Sequence, residues 1–276
     1  MKEFIKYLYC VAFAALVSTS CNNENKKGND RDGDDHASKV ANISYSIVNI
    51  FPHDTSSFTQ GLVVYNGVMY EGTGGSDYSP EGGNSHLYEI DIKTGKQQKS
   101  VKLPGQYFGE GVTVLNDTVY QLTWREKKVF VYTLPDLKKV NELPLNTEGW
   151  GLTHNGTELI VSDGTSNLYF YEPSTFKLLR TQGVTYGGQY LDSINELEYI
   201  EGFVYANRWQ HAEIYKIDPG TGIVTAIVDL TQIWNRIKNI DPAADVPNGI
   251  AYDADTKKIY ITGKKWPELY EIELGQ

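Results

Sequence analysis

The stretch Gly61-Leu-Val-Val-Tyr-Asn-Gly-Val-Met-Tyr70 decides the fold of this chain. Two apolar runs flank an Asn-Gly pair, and this dipeptide is typical of a two-residue turn, so the stretch predicts a β-hairpin. The same pattern returns in four further hairpins, which begin at Gly111, Gly151, Glu196 and Gly249. Recurrence at this spacing predicts a fold built from repeated units.

A second hairpin follows each of the first four hairpins. Their leading strands are predicted at His86 to Ile92, Lys128 to Thr133, Asn167 to Glu172 and Glu213 to Asp218. Four strands per unit, repeated about every 40 to 50 residues, are typical of the blades of a β-propeller.

The fifth unit contains three predicted strands, the last at Glu268 to Leu274. The missing outer strand is available in the run Ile43 to Ile50, which leads into the first hairpin as an outer strand would. Pairing of these two runs would remove an exposed sheet edge. We therefore expect an all-β, five-bladed β-propeller over residues 41–276 that is closed by its N-terminal strand.

The repeat places two kinds of loop on the same face of the propeller. In an antiparallel blade, the loop before the inner strand and the loop between the second and third strands lie on one side. We call them the inner-strand loops and the middle loops. They contain four of the five tryptophans and so mark the functional face: Trp124, Trp150, Trp209 and Trp266.

Glu110 is the candidate catalytic residue. It lies between two glycines in Phe108-Gly-Glu-Gly111, the inner-strand loop of the second unit. Partial burial beside aromatic rings raises the pKa of a carboxyl group, and such a group can act as a general acid and base. The tetrapeptide alone also fits a simple turn, but the four equivalent loops favour a shared site.

Seven stretches, in order along the chain, resemble the plant and bacterial glutaminyl-peptide cyclotransferases. They are Phe58-Thr-Gln-Gly-Leu62, Phe108-Gly-Glu-Gly111, Gly149-Trp-Gly-Leu152, Ser162-Asp-Gly-Thr-Ser166, Asn195-Glu-Leu-Glu-Tyr-Ile200, Asn248-Gly-Ile-Ala251 and Thr262-Gly-Lys264 with Trp266-Pro267. The resemblance runs from about residue 43 to residue 274. The Gly-rich segment 72–85 departs from the family's shorter loop, and this difference bears on peptide selectivity.

The resemblance implies an enzyme that converts the N-terminal glutamine of peptides or proteins to pyroglutamate and releases ammonia. It also implies that no metal takes part in catalysis, although it leaves room for a structural ion in the channel. Glu110 matches the family's acid/base glutamate. The pocket around it would comprise Phe58, Gln60, Phe108, Trp124, Trp150, Asn195, Trp209 and Lys264.

The sequence of the first 40 residues predicts a signal peptide followed by a polar linker. Lys2 and Lys6 precede a short apolar run that ends before Cys21, which predicts a signal peptide at 1–20. Lipidation of Cys21 would make 21–40 a lipid-anchored polar linker, with simple signal cleavage as the alternative. We expect a monomer in the periplasm or cell envelope that contacts the membrane only through this anchor.

The net charge and the positions of cysteine and histidine limit the classes of partner and metal that the protein could bind. The formal net charge of −10 disfavours nucleic acid, whose phosphates bind basic surfaces. Cys10 and Cys21 both lie before residue 22, and the five histidines lack ligand spacing, which argues against a zinc site. Two alternatives remain open: a non-catalytic peptide-binding propeller, and a metal-dependent propeller hydrolase.

Overall fold

The computed structural model describes residues 40–75 and 83–275. The predictions for the signal peptide at 1–20, for Cys21 and for all but the last residue of the 21–40 linker lie outside these residues. The central part of the divergent loop, 76–82, also lies outside them. Among the described residues, no helix has the length and apolar character needed to cross a membrane.

Twenty-three strands and one helix make up the described chain. In chain order the strands are β1 (Ala41–Asn42), β2 (Tyr45–Pro52), β3 (Phe58–Tyr65), β4 (Val68–Gly74), β5 (His86–Asp91), β6 (Lys96–Lys102), β7 (Gly109–Leu115), β8 (Thr118–Thr123), β9 (Lys128–Thr133), β10 (Lys138–Pro144), β11 (Leu152–His154), β12 (Leu159–Ser162), β13 (Asn167–Tyr171), β14 (Leu178–Gly183), β15 (Thr185–Tyr186), β16 (Gln189–Tyr190), β17 (Ile194–Ile200), β18 (Phe203–Arg208), β19 (Glu213–Ile217), β20 (Val224–Asp229), β21 (Pro247–Asp253), β22 (Lys258–Gly263) and β23 (Glu268–Leu274). The helix α1 (Thr231–Ile240) lies between β20 and β21.

Five antiparallel blades form the ring, as the repeat predicts. From the inner to the outer strand, the first four blades are β3 to β6, β7 to β10, β11 to β14 and β17 to β20. The fifth blade consists of β21, β22 and β23 with β2 as its outer strand. Strands β15 and β16 form a separate small hairpin.

The N-terminal strand closes the ring. β2 pairs with β23 in an antiparallel register that runs from Tyr45 opposite Leu274 to Pro52 opposite Glu268. This confirms the predicted closure, although the strand begins and ends two residues later than expected. β1 adds a contact that the sequence pattern does not predict, because it pairs in parallel with the outer strand β20 of the fourth blade.

Apolar side chains fill each interface between neighbouring blades. Val63 of the first blade packs with Val112 of the second, for example, and Leu62 packs with Ala251 of the fifth. Helix α1 buries Ile233 and Ile237 between the fourth and fifth blades. Trp234 packs against the same cluster.

Four of the inner strands carry a β-bulge at their functional-face end. The register shifts fall at Thr59/Gly61, Gly109/Val112, Ile194/Leu197 and Pro247/Ile250. A bulge inserts an extra residue and re-aims its side chain, and it often lies beside an active site. Each bulged segment contains one residue at the same position of the repeat unit. These residues are Gln60, Glu110, Asn195 and Asn248.

A tight ring of backbone lies directly beneath this position. The next residue is Gly61, Gly111, Gly151 or Gly249 in four blades, and a Cβ atom at Gly151 would lie 2.0 Å from the Asn195 carbonyl oxygen. The fourth blade has Glu196 instead. Its fully buried carboxylate accepts hydrogen bonds from the backbone N–H groups of Leu62 at 3.2 Å and Ile250 at 2.9 Å. Glu196 therefore ties three blades together at the centre of the ring.

A second buried carboxylate, Glu198, lies two residues further along the same strand. Its Oε1 accepts a hydrogen bond from the Tyr252 N–H at 2.7 Å, and its Oε2 accepts one from the Thr153 hydroxyl at 3.1 Å. Burial raises the pKa of Glu198 from 4.5 to about 8, since removal of water disfavours the charged form.

Stability is expected to fall as the pH rises from about 4.5 to about 8. The folded state holds the Glu198 proton more tightly than the unfolded chain does, so the resulting stabilisation is lost as the pH approaches the folded pKa of about 8. This effect is on the order of 5 kcal/mol at most. Denaturant melts at several pH values should show a flatter profile for Glu198→Gln, and an unchanged profile would contradict the assignment.

Candidate active site

A cavity of about 300 Å³ opens at the functional face, above the ring of glycines. Eight of the nine predicted site residues line it: Gln60, Phe108, Glu110, Trp124, Trp150, Asn195, Trp209 and Lys264. Phe58, the ninth, does not line the cavity. It lies behind the wall, with its ring edge-on to Phe108 at 6.4 Å between centroids.

Two pairs of aromatic rings line the cavity. Phe108 and Trp124 lie 5.7 Å apart between centroids, and Trp150 meets Trp209 at 5.9 Å in a perpendicular contact. Gly164 leaves room for the second pair, because a Cβ atom there would lie 2.6 Å from the Trp150 ring. Aromatic rings attract ammonium groups as well as apolar surface.

Glu110 lies at the base of the cavity and is only 4% exposed. Its Oε1 accepts a hydrogen bond from Gln60 Nε2 at 3.3 Å. Burial raises the pKa of Glu110 well above its ordinary value; the Lys264 charge opposes the shift, and Glu126 and Glu148 add to it. A carboxyl group with a raised pKa can both hold and release a proton near neutral pH.

Lys264 faces the same cavity from the middle loop of the fifth blade. It is 4% exposed, and burial lowers the pKa of its ammonium group while the charges of Glu110 and Asp245 oppose this change. Its Nζ lies 4.8 Å from the centroid of the Phe58 ring. Phe58 therefore contributes to the site by supporting Lys264 and Phe108.

Asn195 brings an unsatisfied hydrogen-bonding group to the cavity. The side chain is 2% exposed, and its Oδ1 has no hydrogen-bond partner within residues 40–75 and 83–275. The Asn195 backbone is held by Ser162, whose hydroxyl donates to the Asn195 carbonyl at 2.6 Å. Because an unpartnered buried polar group costs free energy, this amide is suited to a ligand.

The sequence profile of the glutamine cyclotransferase family matches residues 11–274. The chain belongs to this family. A glutaminyl-peptide cyclotransferase of Arabidopsis thaliana is 39% identical to it over 233 residues, which cover 83% of this chain and 71% of the plant protein. The crystal structure of Myxococcus xanthus glutaminyl cyclase matches with a TM-score of 0.79 at 33% identity, covering 86% of this chain and 98% of that one. The family, fold and enzyme class inferred from the sequence are thereby confirmed.

Glu148 and Arg125 also line the cavity of this cyclotransferase, and neither is among the predicted site residues. Glu148 Oε2 accepts hydrogen bonds from the indole N–H groups of Trp124 at 2.8 Å and Trp150 at 3.3 Å. The Arg125 guanidinium stacks 3.8 Å above the Trp124 ring. Glu148 thus links the two aromatic pairs. The sequence feature that could have identified Glu148 is its position in the inner-strand loop Glu148-Gly-Trp-Gly151.

A buried polar cluster supports the loop that carries Lys264 in the cyclotransferase. His53 Nδ1 lies 2.8 Å from the Trp266 carbonyl oxygen and its Nε2 lies 3.2 Å from Glu71. The backbone N–H of Lys265 donates to the Ser57 carbonyl at 2.8 Å. These bonds join the first inner-strand loop to the last middle loop, so they fix Lys264 relative to Gln60.

Metal-binding side chains do not cluster in the described part of the cyclotransferase. No group of three or more His, Cys, Asp or Glu residues in 40–75 and 83–275 is arranged to hold an ion. The buried histidine, His53, is engaged with Glu71 and a backbone carbonyl. The cavity offers a carboxyl group, an ammonium group and amides, which are suited to proton transfer and charge stabilisation.

Proposed function

We propose that this cyclotransferase converts the N-terminal glutamine of peptides or proteins to pyroglutamate and releases ammonia, with Glu110 as general acid and base. The observation that carries the proposal is the buried Glu110, whose pKa is raised, at the base of an aromatic cavity in a member of this family. The names of the plant and Myxococcus relatives support the same substrate.

In this mechanism the substrate amine attacks the carbon of its own γ-carboxamide. The carboxylate of Glu110 removes a proton from the attacking amine as the new C–N bond forms. The protonated Glu110 then donates to the leaving nitrogen, so that the old C–N bond breaks and ammonia departs. One carboxyl group with a raised pKa is sufficient for both transfers.

The walls of the cavity hold the substrate folded for this attack. Both reacting groups belong to one residue, so restricting the glutamine side chain supplies much of the rate enhancement. Ring faces of Trp150 and Trp209 also attract the incoming ammonium group, which releases its extra proton to solvent and then attacks as the neutral amine. Lys264 and Asn195 line the same space, and the ammonium group of Lys264 and the amide N–H groups of Asn195 can stabilise the oxygen charge of the tetrahedral intermediate.

An ammonia-release assay on a Gln-initiated dipeptide tests the proposed reaction. Purified protein should release one ammonia for each pyroglutamyl product detected by mass spectrometry. Because we propose that no metal is needed for catalysis, turnover should survive EDTA or a zinc chelator. Binding of the dipeptide without turnover would favour a non-catalytic propeller, and loss of turnover that zinc restores would favour a metal-dependent hydrolase.

We also propose that the domain is exported as a monomer and anchored by a lipid at Cys21. The apolar run before Cys21 supports this proposal. Wild-type protein should sediment with membranes after cell lysis, whereas Cys21→Ser should remain in the supernatant. Equal distribution of the two proteins would exclude the anchor.

A further inference from the structure

Asn248 occupies the place in the fifth blade that Glu110 occupies in the second. The other three blades have Gln60, Trp150 and Asn195 there, and all of these line the cavity. Asn248 is fully buried and does not line it. Its contacts are directed sideways, towards the first blade.

A chain of hydrogen bonds runs from Asn248 to Glu110. Asn248 Nδ2 donates to the Thr59 carbonyl oxygen at 2.9 Å and to Gln60 Oε1 at 3.3 Å. Gln60 Nε2 in turn donates to Glu110 Oε1 at 3.3 Å. The donor-to-acceptor direction of this chain is fixed at Asn248. The Thr59 carbonyl oxygen can only accept a hydrogen bond, so the nitrogen of the Asn248 amide must face it.

The direction of this chain decides which end of the Gln60 amide meets Glu110. An amide turned by 180° would exchange its oxygen and nitrogen with little change in shape. With Asn248 donating to the oxygen, the nitrogen of Gln60 must face the carboxyl group. Glu110 Oε1 is then occupied as an acceptor, while Oε2 makes no hydrogen bond with any residue in 40–75 or 83–275.

We propose that Asn248 is a positioning residue that fixes the Gln60 amide and thereby leaves Glu110 Oε2 to exchange protons with the substrate. The inference rests on the proposed function of Glu110. Without Asn248, the Gln60 amide can turn and present its oxygen to Glu110. That oxygen repels the carboxylate and accepts a hydrogen bond from the protonated acid, so the proton is retained on the enzyme.

Loss of Asn248 also changes the titration of Glu110 in a defined direction. A donor to the carboxylate favours the charged form, so its loss raises the Glu110 pKa further. The charged groups around Glu110, namely Lys264, Glu126 and Glu148, are unchanged by a substitution at Asn248. A shift in the pH profile therefore reports on the Gln60 contact.

Asn248→Leu tests the proposal, because leucine keeps the approximate volume and removes the donor. We expect kcat on a Gln-initiated dipeptide to fall about tenfold, as for the loss of one oriented hydrogen bond. The acid limb of the kcat/KM profile should move to higher pH. In a Gln60→Leu background, adding Asn248→Leu should cause no further loss, since Asn248 acts through Gln60. Equal losses in both backgrounds would overturn the proposal.

Asn207→Leu is the matched control. Asn207 is 1% exposed and accepts a hydrogen bond at 2.9 Å from the N–H of Gly249, the neighbour of Asn248, without touching Gln60. It should lower the melting temperature but leave the pH profile in place.

Titration of the Glu110 carboxyl carbon by NMR gives a second readout that needs no turnover. The Glu110 pKa should rise in Asn248→Leu and stay unchanged in Asn207→Leu. If wild-type protein has no cyclase activity, the proposed function fails, but the NMR titration still decides the role of Asn248. An unchanged Glu110 pKa in Asn248→Leu would overturn the positioning role.

Discussion

Glu110→Gln is expected to lower turnover of a Gln-initiated peptide by about a hundredfold or more, in line with general acid and base contributions. The substitution keeps the size of the side chain, and its oxygen can still accept from Gln60, but it cannot exchange the proton. Substrate binding should change much less. Turnover, peptide affinity and melting temperature measured on the same preparation separate these effects.

Glu196→Gln is the control for this prediction. Glu196 is as deeply buried as Glu110 but lies below the cavity and does not line it. Any loss of turnover in Glu196→Gln should follow its loss of stability. If Glu110→Gln kept more than about a third of wild-type turnover, even a tenfold acid–base role, worth about 1.4 kcal/mol of barrier, would be excluded.

Deleting residues 41–52 is expected to abolish the soluble folded state. The deletion exposes the whole outer edge of β23, where Leu269, Tyr270 and Ile272 pack into the core, and it leaves unpaired the backbone groups of β23 that pair with β2. An exposed apolar edge strand pairs with other chains. Size-exclusion chromatography and circular dichroism should show aggregation or unfolding.

Two shorter deletions serve as controls for ring closure. Removing 22–38 should leave folding and turnover unchanged, because no blade strand is predicted in that segment. Removing 22–42 also takes away β1 and its two pairs with β20, so it should lower the melting temperature while the ring stays closed by β2. A soluble, active protein without 41–52 would refute closure by the N-terminal strand.

The repeat predicted most of the fold and brought the inner-strand loops of the site together, whereas the individual pocket residues followed from the resemblance to the glutaminyl-peptide cyclotransferases. Hairpin turns such as Asn66-Gly67 located the strands, and the equivalent loops then placed Gln60, Glu110 and Asn195 around one axis. This worked because local turn chemistry and repeat spacing alone determine which loops share a face.

The remaining features depend on side-chain directions and on contacts that no repeat encodes. Glu148 lines the cavity because its carboxylate accepts hydrogen bonds from two indoles on different loops. Phe58 does not line the cavity because its ring lies behind Phe108. The parallel pairing of Ala41–Asn42 involves two residues, too few for any hydrophobic periodicity. Such details are set by tertiary packing.

The buried Glu196 carboxylate blocks the centre of the ring, and this limits how a substrate can bind. The 300 Å³ cavity on one face and a cleft of about 520 Å³ on the other share no lining residue, and Glu196 lies between them with no exposed surface. A polypeptide therefore cannot thread through the ring. In the proposed reaction, only the first residues of a chain would enter, the remainder would stay in solvent, and both products would leave through the opening that admitted the substrate. Short peptides and whole proteins should consequently bind to this enzyme in the same way, provided that their first residues are free.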